Sequence, residues 1–118
     1  MMTAQDLIRP DGTVALDALL AGLGLTEAEL ALALGMSQNS LATPPRSIAL
    51  ASQRKLRDFV EILMTVVPWA GSLPQAFDWF STQPLASFGN RTAADLVRKG
   101  RAEAVKSHIS RIAIGEYA

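Results

Sequence analysis

The chain has 118 residues, 49% of them hydrophobic and 19% charged, and eleven Lys plus Arg balance eleven Asp plus Glu. That length holds one core, or two small modules sharing one, and the composition excludes a disordered chain. A formal net charge of +0 excludes a chain-wide basic footprint for nucleic acid, and the lack of cysteine excludes disulfides and thiol chemistry.

The start, MMTAQDLIRPDG, carries Asp6 before any apolar run and has no basic, apolar, small-residue export pattern. The longest apolar stretch, 62–70, holds Pro68 and falls short of the roughly 18 residues a membrane span needs. A cytoplasmic protein with no membrane partner is expected. Helical periodicity dominates and no alternating β-branched run is present, so the expected fold class is all-α.

The first helix follows Thr13, with Val14, Leu16, Leu19, Leu20 and Leu23 on its apolar face and Gly22 and Gly24 at its end. The second opens at Thr26, a good N-cap, with Glu27 and Glu29 in the first turn, where the helix dipole favours anions. Gly35 closes it. A short third helix starts at Ser37 and cannot pass Pro44 and Pro45. A long helix over about 47–67 carries the stripe Ile48, Leu56, Phe59, Val60, Leu63, Val66 and Val67, and Pro68 is expected to stop it. WAGS (69–72) reads as a joint, which divides the chain into domains 1–68 and 69–118.

Beyond the joint, Ser72 and Gln75 form an S-x-x-Q capping box opening a helix with Phe77 and Phe80. Pro84, Leu85, Phe88 and Gly89 make a compact connector. Thr92 and Asp95 form a second box, and Gly100 supplies a stop. The last helix runs from about Arg101 to Ile114, with Gly115 as its cap.

Residues 25–42, LTEAELALALGMSQNSLA, carry the spacing of a helix-turn-helix: small Ala31 where helices cross, Gly35 at the turn, and Leu41 plugging the core. The pattern resembles the Xre-like class of phage-repressor domains. Gln38 and Asn39 can pair with adenine edges, and Arg46, Arg54, Lys55 and Arg57 could touch phosphates. The recognition helix itself has no Lys or Arg, and Arg54, Lys55 and Arg57 read equally well as the solvated face of the long helix.

Catalysis finds little support. His108 is the single histidine and has no second metal-ligand residue at a suitable spacing, so it reads as a solvent-facing or packing side chain. No G-x-S-x-G elbow is present, and GLGLTEAE (22–29) lacks the strand and third glycine of a dinucleotide loop. No catalytic residue, metal or cofactor is expected.

On the final helix Ala102, Val105, Ile109 and Ile112 recur at spacings of 3, 4 and 3, a single buried stripe. Arg98, Lys99, Arg101, Lys106 and Arg111 surround it, and Glu103 with Lys106 reads as an ordinary surface pair worth tenths of a kcal/mol. Ile114 lies nine residues beyond Val105, roughly opposite the stripe at about 100° per residue. With Tyr117 it is surplus to its own helix. It either packs on a neighbouring helix, stays exposed, or enters a partner's groove.

This half resembles the toxin-binding domain of antitoxins of the Xre/MbcA/ParS type. Trp79, Pro84 and Leu85 match the opening of the family pattern, and Gly89, Arg91, Thr92, Leu96 and Val97 match its middle. Arg111, Ile112, Gly115, Tyr117 and Ala118 match its end. Ala93 replaces the customary proline after Thr92, and Ala113 stands where an acidic residue is common.

The resemblance implies an antitoxin paired with a RES-domain toxin, an NAD-consuming enzyme related in fold to ADP-ribosyltransferases. It implies a C-terminal segment lying at the toxin's active-site entrance, and a homo-oligomer within the toxin–antitoxin complex. The toxin-binding residues it points to are Arg91, Arg98, Arg111, Ile114, Gly115, Glu116, Tyr117 and Ala118. The alternative function is a DNA-binding helix-turn-helix repressor, its own operon being one candidate target, reading DNA through Gln38, Asn39 and Arg46.

Overall fold

The computed structural model describes residues 7–10, 12–36 and 50–113. Among them are six α-helices: α1 (Leu16–Leu23), α2 (Glu27–Leu34), α3 (Leu50–Ala70), α4 (Leu73–Thr82), α5 (Ala93–Arg98) and α6 (Ala102–Ala113), with a 3-10 turn at Ala86–Phe88. The all-α expectation holds for these residues, whose only β contacts are the isolated bridges Ile8–Val14 and Leu85–Arg91.

The long helix α3 organises the rest. Leu56, Phe59, Val60, Ile62, Leu63 and Val66 are fully buried along it, at the spacing that places them on one broad face. Pro68 does not stop it. A proline keeps a helical φ; it gives up its own N–H and crowds the carbonyl of Met64 one turn back, but leaves the N–H groups after it free to bond, so α3 continues to Ala70, and the Gly71 N–H reaches the Val67 carbonyl at 2.8 Å. The chain reverses at Gly71 and α4 packs back against α3.

Aromatic rings hold that hairpin. The Phe59 ring meets Phe80 edge-on at 5.0 Å and Phe77 at 6.1 Å, and Trp69 meets Trp79 edge-on at 5.3 Å. Edge-to-face pairs of this kind add to the burial that the rings already contribute.

Local signals set the helix ends. Thr26 and Glu29 form a reciprocal capping box, as do Thr92 and Asp95. The Ser72 box forms only in half: the Ser72 hydroxyl accepts from the Gln75 N–H, while the Gln75 side chain takes the Ser72 hydroxyl proton instead of the N-cap amide. Gly35 ends α2 at φ +69°, a conformation that L side chains rarely adopt, and a Cβ there would come within 2.9 Å of Arg98 Cγ. The turn after α2 therefore doubles as the place where the first half of the chain meets α5.

The segment before α1 is stapled to α3 by polar groups. Gln53, nearly buried, accepts the Val14 N–H at 3.1 Å, and Arg57 donates to the Gly12 carbonyl at 2.7 Å. Arg57 is thus engaged with the N-terminal loop and is not simply a solvated cation. Buried residues from both sides of the 68/69 joint, from Leu7 to Ile109, belong to one hydrophobic cluster.

Phe59 sits where α3 and α4 share that cluster. Phe59→Ala is expected to lower the unfolding free energy by about 3–5 kcal/mol in urea denaturation, the usual cost of emptying a fully buried aromatic site. A loss under about 1 kcal/mol would show that the hairpin is not the centre of the core.

Candidate functional site

The residues singled out in the C-terminal half fall around α6 and the loop that precedes α5. That loop is compact because Leu85 anchors it. Its N–H bonds the Arg91 carbonyl at 3.0 Å, and its own carbonyl accepts from Phe88 and Asn90 at 2.9 and 3.0 Å. Leu85 itself is buried, and Arg91 is exposed at the rung that closes the loop.

The helix α6 docks through the expected stripe. Val105 and Ile109 are buried, Ala102 is nearly so, and Ile112 is half-buried. A charged contact fixes its register on α3. The Lys106 ammonium lies 2.6 Å from Asp58 and 2.6 Å from Glu61, both on α3, and 3.3 Å from Glu103. Desolvation works against the ammonium, but the hydrogen bonds to Asp58 and Glu61 outweigh it and raise its pKa. Lys106 is therefore a tether between helices and not the ordinary surface cation expected from its i, i+3 partner. The carboxylates that matter lie 48 and 45 residues away in sequence.

Arg98 is engaged within the chain. It pairs with Asp95 and donates to the Ala33 carbonyl of α2 at 3.1 Å. The Thr92 N–H, then its hydroxyl and Arg98, hold the Asp95 carboxyl below its usual range against the opposing effect of desolvation. Arg111, in the last turn of α6, is exposed.

Between α6, α4 and the 3-10 turn lies a groove of about 320 Å3, lined by Trp79, Gln83, Pro84, Leu85, Ala86, Ser87, His108 and Ile112. His108 forms its floor and is only 3% exposed. The Phe88 ring packs edge-on against the imidazole at 5.6 Å, and the Arg101 guanidinium lies 5.7 Å from the centre of the Phe88 ring. His108 Nδ1 is buried with no hydrogen-bond partner among the described residues. Burial, and then the nearby Arg111 charge, lower the His108 pKa, which favours a neutral ring.

His108 is therefore a packing histidine at the base of a groove. The packing alternative of the sequence reading is the one found, but Ser107 and Ile109 gave no sign of the groove, which is built by residues around 79–88. Ile114, Gly115, Glu116, Tyr117 and Ala118 lie outside the described residues, as do the DNA-reading candidates Gln38, Asn39 and Arg46. Among the described residues no three metal-binding side chains cluster, and no helix is long and apolar enough to cross a membrane.

No family model matches the sequence, and no curated protein does. Among solved structures, the fold is that of a toxin–antitoxin component. The chain is similar to one in the crystal structure of the M. tuberculosis MbcT–MbcA toxin–antitoxin complex, with a TM-score of 0.63 and 25% identity, over 87% of this chain and 94% of that one. The likeness is consistent with an MbcA-like antitoxin, as the residue pattern of the C-terminal half suggests.

Two outcomes test the site's electrostatics. Lys106→Met removes the shared counter-charge and is expected to cost about 1–2 kcal/mol by denaturation, since the partners are part-exposed and partly screened. Glu103→Gln, at the exposed edge of the same contact, should change stability by no more than a few tenths of a kcal/mol. Equal effects would contradict the tether.

His108 makes stability depend on pH. Its folded pKa is lowered, so on acidification the unfolded chain takes up a proton before the folded one does. Stability is held above about pH 6.5 and lost as pH falls through the lowered folded value, whereas Asp95 enters only near pH 4 and below. Denaturation between pH 7 and 5 should show that loss in the wild type and not in His108→Gln. Parallel profiles would refute the assignment.

Proposed function

We propose that this chain is an antitoxin of a type II toxin–antitoxin system that binds a RES-type, NAD-degrading toxin and obstructs its active site with the C-terminal tail. The observation that carries the reading is the structural likeness to a chain of the MbcT–MbcA complex across nearly the whole length of both. The motif pattern of residues 79–118 supports it from the sequence alone. In this reading residues 1–68 form the helix-turn-helix part and residues 69–118 the toxin-binding part.

The physical features around α6 suit the task. A helix held by a buried stripe and by Lys106 gives the following residues a fixed starting point, which cuts the ordering cost of association. Exposed Arg111 offers positive charge at that end of α6, and exposed Arg91 and Arg101 offer more at the loop before α5 and at the start of α6, which accelerates encounter with an acidic partner. Ile114 and Tyr117 supply apolar anchors for a pocket.

The test is truncation. Removing residues 113–118 should weaken toxin binding at least tenfold and abolish inhibition of NAD consumption, while the helical circular dichroism of the chain is retained. Intact binding and inhibition after truncation would overturn tail occlusion. Failure of the full chain to bind a RES-domain toxin encoded beside it would overturn the antitoxin reading itself.

A further inference from the structure

We propose that two copies of this chain pair across a second groove, between α2, α4 and α5, with Leu32 of each seated in the groove of the other. Glu29 of each copy then faces Arg98 of the other across the rim. The pairing rests on this groove and not on the antitoxin reading.

Leu32 projects from α2 with 78% of its surface exposed, the most of any large hydrophobic side chain among the described residues. A lone exposed leucine is ordinary. This one stands at the edge of a groove of about 340 Å3 whose walls include Leu25, Ala33, Phe77 and Ala94. The apolar surface continues along α2, where Leu25, Ala28 and Leu32 recur at spacings of 3 and 4 and Ala28 is exposed. A small residue in the middle of such a stripe lets a second helix approach closely.

Shape and charge together identify the occupant. A two-fold axis makes every contact twice, so a surface that pairs with itself carries a knob with its hole and a charge with its counter-charge. All four occur in one groove here. Leu32 is the knob and the groove beside it the hole, while Glu29 stands on the α2 side and Arg98 on the α5 side. Both charged side chains are exposed, although each also serves its own fold. Glu29 accepts from the Thr26 N–H, and Arg98 pairs with Asp95 and donates to the Ala33 carbonyl. A guanidinium has five N–H donors and a carboxylate two acceptor oxygens, so each has room for a second partner.

The surrounding charge disfavours other occupants. The α2 helix carries Glu27 and Glu29 and no cation, which repels the phosphates of nucleic acid or of an anionic membrane. A formal net charge of +0 leaves two copies of the chain free of long-range repulsion. Among the described residues α6 contributes nothing to this groove, so a paired chain still presents that helix and Arg111 to another partner.

Sedimentation equilibrium of the full chain between about 1 and 300 μM should show a mass rising toward twice the 12.6 kDa of one copy. Leu32→Glu should weaken pairing at least tenfold and keep the helical circular dichroism, because the side chain is exposed. Ala28→Arg puts the opposite charge on the same stripe and should also weaken pairing at least tenfold. It decides the matter if Leu32→Glu fails to fold. A monomer at every concentration would overturn the proposal, as would a dimer that these substitutions leave intact.

The lack of cysteine allows a second readout. Ser81→Cys places a single thiol on the groove wall, and its alkylation should slow as protein concentration rises through the dissociation constant. Slow alkylation at every concentration would mean that the chain's own residues 37–49 cover the groove, and the proposal would fail. Fast alkylation at concentrations where the mass is that of a dimer would place the interface elsewhere and refute it equally. None of these outcomes bears on toxin binding, so the antitoxin reading stands or falls separately.

Discussion

The placement of the last helix depends on one shared charge. Lys106 of α6 is held between Asp58 and Glu61 of α3, and the apolar stripe of Val105 and Ile109 closes over the same side of the helix. Burial supplies the larger part of the attraction, because apolar area removed from water scales with the whole stripe. Burial alone tolerates sliding and rotation of one helix on another. A short ion pair to two carboxylates does not, so it sets the register at which α6 rests. The position of the groove follows from it, since His108 and Ile112 are carried by the same helix at two and six residues beyond the lysine.

The consequences bear on the proposed toxin-binding role. A segment that inserts into a partner must start from a defined point, or the partner bears the cost of ordering it. Here the hairpin of α3 and α4 gives the rigid base, its rings packed edge to face, and α6 rises from that base with its exposed cations toward solvent. The N-terminal half takes part in the same structure. Gln53 and Arg57 bind the loop before α1, and Arg98 reaches the end of α2, so the first helices brace the second half of the chain.

Much of this architecture was legible in the residues. Periodic leucines and valines marked α1, α3 and α6, and Thr26, Thr92 and Gly35 marked boundaries because capping chemistry is local. Pro68 misled because its cost falls on the turn before it, as one lost hydrogen bond and a crowded carbonyl, and does not stop Trp69 and Ala70 from continuing the helix. The partners of Lys106 and the surroundings of His108 could not be read, for a different reason. Glu103 is the lysine's neighbour in sequence, yet Asp58 and Glu61 are its closest partners in space, and the wall around His108 is contributed by residues 79–88. Contacts of that separation leave no periodic trace. The motif resemblance of residues 79–118 was legible, whereas the groove beside α6 was not.

The proposed antitoxin role requires that this chain silence an NAD-consuming enzyme by binding it. The most direct measurement is the rate of NAD loss catalysed by a RES-domain toxin from the same operon, followed while the full chain is titrated in. The rate should fall linearly and vanish at a fixed molar ratio, as tight stoichiometric binding requires. An unchanged rate at excess chain, with or without complex formation, would contradict the account.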